Sequence, residues 1–103
     1  MKRMPSTIRV GPHEYSVRRK TRTQMPKIDG EKPNGYVDTD ALEIGILKGA
    51  RRTKAQQWAI HESLHAMWPQ GFGFEEEIVK QLDSRLLQWI QENPELVRFL
   101  EQR

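Results

Sequence analysis

The fold is decided by residues 42–68, which read LEIGILKGARRTKAQQWAIHESLHAMW. The first six of these residues alternate, so Leu42, Ile44 and Ile46 lie on one face, as is typical of a half-buried β-strand. Gly45 lies on the other face, where the missing side chain leaves the backbone open to close approach. We predict that this strand lies at the edge of a small sheet.

A long helix is predicted to follow this strand, because the apolar residues from Trp58 to Trp68 are distributed at helical spacing. Thr53 and Gln56 have the form of a capping box, in which a hydroxyl caps the first turn and an amide three residues on bonds back to it. Residues 69–73 combine proline and glycine and are expected to end the helix.

A second helix is predicted to begin near Phe74 or Glu75, because three acidic residues there complement the positive end of the helix dipole. Its apolar residues recur at helical spacing and are expected to form one packed stripe: Ile78, Val79, Leu82, Leu86, Trp89 and Ile90. Asn93 is expected to cap a third, short helix in which Pro94 occupies the first position.

The N-terminal third is predicted to be rich in strands. Residues 7–18 alternate on either side of a turn at 11–14 and predict a hairpin. Residues 19–35 are polar and interrupted by proline and glycine, so a long exposed loop is expected before a short strand at 35–38. Strands first and helices last indicate an α+β fold, in which two main helices and a short third one pack on one face of a small antiparallel sheet.

The composition is that of a single domain over residues 1–103, with a strand-rich basic half at 1–52 and a helical half at 53–103. Only 36% of the 103 residues are hydrophobic and 30% are charged, so the core is expected to be small. The lack of cysteine excludes disulfides, cysteine zinc sites and thiol nucleophiles. No apolar run approaches the ~20 residues of a membrane helix and no secretion signal is recognised, so a cytoplasmic location without membrane contact is expected.

Charge is distributed unevenly along the chain. Residues 1–54 hold 13 Lys/Arg and 6 Asp/Glu, a net charge of +7, whereas residues 55–103 hold 4 and 8, a net charge of −4. A basic half is compatible with binding to nucleic acid or to an acidic partner, but basic side chains also guard exposed strand edges. We favour the second interpretation and expect nucleic-acid binding to be weak and lost near physiological salt.

Residues 61–65 form a His-Glu-x-x-His motif inside the predicted helix. Two histidines four residues apart share one helix face and can bind one metal ion, so we predict one Zn²⁺ per chain on His61 and His65. Glu62 is expected to project beside the ion, where it can deprotonate a metal-bound water as the general base of amide hydrolysis. The alternative is two surface histidines on an ordinary helix.

A catalytic zinc site needs a third protein ligand, which in a chain without cysteine is His13 or an acid. In an antiparallel helix pair, the start of the second helix lies opposite the end of the first, so the acidic cluster 75–77 can reach the ion. At about 100° per residue, Glu75 lies at the centre of the predicted apolar stripe and Glu76 on its flank, which favours Glu75. Glu76 is the alternative if the start of the helix is shifted.

Residues 35–100 resemble the small zincin-like proteins of bacteriophages and prophages, which look like minimal relatives of the ImmA/IrrE metallopeptidases of the gluzincin type. The specific part of this resemblance is the His-Glu-x-x-His motif, and the strand before it and the acidic run after it match as patterns. In such enzymes the two motif histidines and a downstream glutamate bind zinc. The resemblance therefore implies a metallopeptidase in a bacterial host cytoplasm, with Glu62 as base and Glu75 or Glu76 as third ligand.

The expected partner is a peptide or a host protein. The strand before the motif helix is predicted to pair with an extended peptide beside the metal, through Ile44, Gly45 and Ile46. Two alternatives stay open: a catalytically weak zincin-fold protein that acts by binding a host protein, and a nucleic-acid binder that uses the basic half. The sequence leaves the oligomeric state open.

Overall fold

The computed structural model describes residues 3–103, so the first two residues of the predicted basic half lie outside the described range. Within residues 3–103 the chain forms four strands and three helices, which confirms the α+β prediction. In chain order these are β1 (Thr7–Val10), β2 (His13–Lys20), β3 (Gly35–Asp38), β4 (Glu43–Leu47), α1 (Arg52–Met67), α2 (Glu75–Glu92) and α3 (Pro94–Glu101).

The strands form one mixed sheet in the order β1-β2-β4-β3. The predicted hairpin is confirmed, because β1 and β2 pair antiparallel around a turn in which Gly11 has a φ of 57°. β4 pairs antiparallel with β3 but parallel with β2, so the prediction of a wholly antiparallel sheet is wrong on this one pair. The parallel pair arises because the chain crosses to the far edge after β2, forms β3 there and returns in β4 between them.

The prediction that β4 is an edge strand is therefore wrong. Ile44 and Ile46 are fully buried in the core, and a Cβ added at Gly45 would overlap the ring of Tyr36 on β3. The group that approaches Gly45 closely is thus a side chain of the same sheet and not an external peptide. Alternation shows that a strand has one buried face, but it does not distinguish a central strand from an edge strand.

The loop between β2 and β3 is held in place by hydrogen bonds among its own residues. The guanidinium of Arg22 donates hydrogen bonds to the carbonyl oxygens of Lys32 at 3.0 Å and Pro33 at 3.2 Å, and to Asn34 Oδ1 at 2.8 Å. The ammonium of Lys32 donates back to the Arg22 carbonyl oxygen at 3.2 Å. Met25, in this loop, is buried. Two of the basic residues of the N-terminal half therefore hold this loop together.

α1 lies on the sheet face that carries the core residues Tyr15, Ile44 and Ile46. It begins at Arg52, with Arg51 as a cap that makes no side-chain hydrogen bond. Thr53 therefore lies inside the first turn, and the predicted capping box is wrong. The end of the helix at Met67, before the Pro/Gly segment, agrees with the prediction.

α2 packs on α1 but buries only part of its predicted stripe. Val79 is fully buried, whereas the other residues of the stripe are partly or largely exposed. The buried and half-buried positions of α2, which are Glu75, Val79, Asp83, Leu86 and Leu87, centre about 50° round the helix from Glu75 when each residue turns about 100°. The side of α2 that faces α1 is thus rotated away from the mean direction of the apolar residues.

α3 begins with Pro94 at its first position, as predicted. Asn93 precedes it, but its side-chain amide donates to the Trp89 carbonyl oxygen at 2.8 Å and does not cap α3. Among the described residues, no helix combines the length and the apolar character that crossing a bilayer requires.

Candidate metal centre

The two motif histidines lie one turn apart on α1 and face the N-terminal end of α2. Their Nε2 atoms are 3.2 Å apart, and the ring centroids are separated by 4.9 Å. The carboxylate of Glu76, in the first turn of α2, lies 2.8 Å from His65 Nε2 and 3.4 Å from His61 Nε2. One ligand atom from each residue lies within 4.8 Å of the others, so His61, His65 and Glu76 form a group that can hold a metal ion.

The spacing of these atoms fits a zinc ion. Zinc bonds of about 2.0–2.2 Å in tetrahedral geometry place neighbouring ligand atoms about 3.3–3.5 Å apart. The 3.2 Å between the two Nε2 atoms is close to that range, and the two oxygens of Glu76 lie 2.8 Å from His65 Nε2 and 3.4 Å from His61 Nε2. Two imidazole nitrogens and one carboxylate also form a donor set that zinc accepts, and three protein ligands leave a fourth position open.

Glu75 lies on the opposite side of the His65 ring from this group. Its Oε2 atom is 2.6 Å from His65 Nδ1, whereas the metal-binding group uses Nε2. The packed face of α2 centres about 50° from Glu75, so Glu75 at 0° and Glu76 at about 100° lie on either side of it. The two glutamates therefore contact the His65 ring at different nitrogens, Glu75 at Nδ1 and Glu76 at Nε2.

Asp83 is the residue that reasoning from the sequence missed. It is only 4% exposed, and its Oδ2 atom lies 2.9 Å from His61 Nδ1. Gln57 donates to its other oxygen at 3.2 Å. A signal was present, because Asp83 is a charged residue on the Val79 side of a helix that packs through that side, and a carboxylate is costly there without a partner.

Each motif histidine thus has a carboxylate at Nδ1, Asp83 for His61 and Glu75 for His65. An acceptor at Nδ1 favours the tautomer with a proton on that nitrogen, which leaves the Nε2 lone pair free for a metal. The same contact fixes the plane of the ring. The structure therefore holds both imidazoles in the orientation that a metal needs.

Glu62, the predicted base, follows His61 on α1 and is 7% exposed. Burial raises the pKa of Glu62, and the neighbouring Glu76 adds to the rise, while His61 and His65 oppose it. Gly35 on β3 provides space for this group, because a Cβ there would lie 3.1 Å from Glu62 Oε2. The carboxylate is therefore held beside the histidines in a position where it takes up a proton readily.

The centre opens into a cavity of about 290 Å³. It is lined by the metal-binding group and Glu62 on one side, and on the other by β3 and two residues of the preceding loop, Ile28 and Pro33. β3 ends the sheet, so the edge strand beside the candidate centre is β3 and not β4. Of the predicted contacts, Ile44, Gly45 and Ile46 do not line this cavity.

His13, the other candidate for third ligand, begins β2 opposite Val10 and does not belong to the metal-binding group. Comparison with known proteins supplies no family for this chain: no protein-family model, no curated protein and no solved structure gives a significant match. The resemblance to the ImmA/IrrE metallopeptidases therefore remains a prediction from the sequence motifs.

Proposed function

We propose that this protein is a zinc-dependent hydrolase of the metallopeptidase type, which cleaves an amide bond in an extended peptide. The observation that supports it most strongly is the convergence of His61 Nε2, His65 Nε2 and the Glu76 carboxylate beside the buried Glu62. Ordinary surface histidines do not require two supporting carboxylates and a buried acid beside them.

In this proposal, one zinc ion per chain is held by His61, His65 and Glu76. When bound, zinc supplies Lewis acidity, which lowers the pKa of a water ligand and polarises a carbonyl oxygen. The part of the chain itself is to hold the imidazoles through Asp83 and Glu75 and to exclude bulk water from the cavity around Glu62.

Glu62 is proposed as the proton carrier. Its carboxylate accepts a proton from the attacking water and then delivers that proton to the nitrogen of the leaving amine. The raised pKa of Glu62 suits both steps, because the group holds the proton long enough to transfer it. In a Glu62→Gln variant, the new side chain has nearly the same size but cannot accept this proton.

The free edge of β3 is proposed to bind the peptide. An extended peptide that adds to a sheet edge gains main-chain hydrogen bonds, and alternate side chains then enter pockets on one face. β3 lies at the end of the sheet, and Gly35, Tyr36 and Val37 line the same cavity as Glu62. A peptide paired there would carry its backbone past the metal-binding group.

The decisive experiment combines metal analysis with one substitution. Protein purified without added metal should contain close to one zinc per chain, and His65→Ala should contain almost none. Glu62→Gln should keep its zinc but lose hydrolysis of a mixed peptide library by roughly 10²–10⁴-fold, the usual contribution of a general base. If the parent protein binds zinc but cleaves no peptide, and Glu62→Gln behaves like it in every assay, the proposal of an enzyme is wrong and the protein acts by binding.

The contacts of the basic residues do not favour nucleic-acid binding. Arg9 pairs with Glu14 at 3.2 Å, and Lys20 lies 3.4 Å from Glu43. Arg22 is used within its own loop, as described above. These three cations have partners within the chain, and nucleic-acid binding stays an alternative, for which the affinity should fall steeply with salt.

A further inference from the structure

The C-terminal helix α3 has little to hold it in place within one chain. It has eight residues, whereas isolated helices shorter than about 12–15 residues are marginal in water. It contains no buried residue, it packs only on α2, and Phe99 and Leu100 are 66% and 61% exposed. A strongly amphipathic helix of this length is expected to be covered by another surface.

A second surface has matching properties and is called here the basic groove. It is a cavity of about 950 Å³ between the N-terminal segment, the first half of α1 and the last turns of α2. Its apolar lining includes Leu87 and Ile90, and it also carries Arg3, Arg19 and Arg52. Among residues 3–103, none of these three arginines has a carboxylate within ion-pair distance.

The charges of α3 are arranged to suit this groove. At about 100° per residue, its four apolar side chains, Leu96, Val97, Phe99 and Leu100, centre about 120° from Glu95. Glu95 and Glu101 then border the apolar face on its two sides, and Arg98 points directly away from it. Neither glutamate has an ion-pair partner in the part of the chain that the structure describes.

We propose that a second copy of this chain occupies the basic groove through its α3, and that the two copies exchange this contact to form a symmetric dimer. Ile90 lines the groove and lies only a few residues before α3, so groove and helix are neighbours on one surface. A single two-fold axis near them places each α3 in the other copy's groove, and such a reciprocal contact closes without forming a chain of molecules.

The exposed apolar area is what such a dimer needs. Five residues at this end, between 36% and 66% exposed, are Trp89, Ile90, Leu96, Phe99 and Leu100. They present about 500 Å² of surface per copy, if a fully exposed large side chain has about 150–250 Å². A standard interface covers about 800 Å² per partner, of which roughly 60% is apolar, so these residues supply the apolar share.

This proposal does not depend on the proposed hydrolase activity. The groove is lined by α1 residues up to Ile60, whereas the motif histidines and Glu62 line the separate 290 Å³ cavity, and no residue lines both. Loss of the dimer is therefore expected to leave zinc content unchanged.

Sedimentation equilibrium of the full chain tests the proposal. We expect a mass that rises with protein concentration towards twice the 12.1 kDa of one chain. Phe99→Ser should weaken the dimer at least tenfold, while Phe72→Ser, which removes an equally exposed aromatic ring (68%) from the loop between α1 and α2, should leave it unchanged. A chain that stays monomeric at every concentration overturns the proposal, as does a dimer that Phe99→Ser does not weaken.

Charge reversal tests the reciprocal contact itself. The double variant Arg3→Glu/Arg52→Glu changes the summed charge of the three groove positions from +3 to −1, and the double variant Glu95→Lys/Glu101→Lys puts bases on α3, so each variant alone should fail to dimerise. A mixture of the two variants should form a heterodimer. One of its contacts joins a parent α3 to a parent groove, and the other joins the α3 that carries lysines to the groove that carries glutamates. Circular dichroism confirms that each variant is folded. A mixture no more associated than its components contradicts docking of α3 in the groove.

Discussion

The two ends of the α1–α2 pair differ in whether their charged side chains have partners within the chain. At the metal centre, both motif histidines contact carboxylates, and the aspartate among those carboxylates is almost fully buried. At the other end, three arginines of the basic groove and two glutamates of α3 have no ion partner among residues 3–103. The first end is complete within one chain, whereas the second has the exposed apolar side chains and unpaired charges of a surface that meets another molecule.

The largest effect that this comparison predicts is on zinc affinity, and only at the first end. Glu76→Ala removes a proposed ligand and should weaken zinc binding by more than the ~10–100-fold that loss of an outer carboxylate produces. Competition with a chelator of known affinity measures this. Glu77→Ala, its neighbour on the exposed side of α2, and Glu95→Ala, on α3, are the matched controls and should bind zinc like the parent. Equal losses in Glu76→Ala and Glu77→Ala would mean that the first turn of α2 acts only through its total charge.

The next effect distinguishes the two carboxylates behind the histidines. Asp83→Asn changes the acceptor at His61 Nδ1 with little change in size, and zinc affinity should fall by roughly 10–100-fold. Glu75→Gln makes the same change at His65, but the side chain of Glu75 is 42% exposed, whereas that of Asp83 is 6% exposed. Water can replace Glu75 and not Asp83, so the smaller loss is expected for Glu75→Gln. A larger loss in Glu75→Gln would contradict the role assigned to burial.

The smallest effect concerns stability. Because burial raises the pKa of Glu62 above its ordinary value of 4.5, the folded chain disfavours the ionised carboxylate. Below pH 4.5 folded and unfolded chains both carry the proton and the cost is absent; it develops as the pH rises through 4.5 and is complete above the folded pKa. Metal-free Glu62→Gln should therefore unfold at a higher temperature than the parent at neutral pH.

For a domain near this size, each gain of about 1 kcal/mol in the free energy of unfolding raises the melting temperature by about 4–8 °C. Thermal melts of both proteins across the pH range, with a chelator present, measure it. Glu31→Gln, an exposed loop substitution, is the control and should melt like the parent. A Glu62→Gln protein that gains nothing at neutral pH, or gains equally at acid pH, would show that the buried carboxylate is not a source of instability.

Local patterns were enough to predict most elements of this chain. Turn residues at 11–14, the Pro/Gly segment at 69–73 and Pro94 each act on the backbone beside them, and the structure has a hairpin, a helix end and a helix start at those places. The spacing of His61 and His65 likewise places them on one face, because the geometry of an α-helix is the same in every protein. Predictions of this kind depend on contacts between residues close in sequence.

The position of β4 and the choice of carboxylates depend on which surfaces pack together, so only the tertiary structure decided them. The place of β4 in the centre of the sheet follows from the crossing of the chain after β2, and alternation carries no record of that crossing. The packing of α2 on α1 places Glu76 at the Nε2 atoms, Glu75 at His65 Nδ1 and Asp83 at His61 Nδ1. A helical wheel drawn from the apolar residues alone does not predict these contacts. The sequence by itself therefore determined the motif and its helix, and packing between distant segments determined which carboxylates lie beside the two histidines.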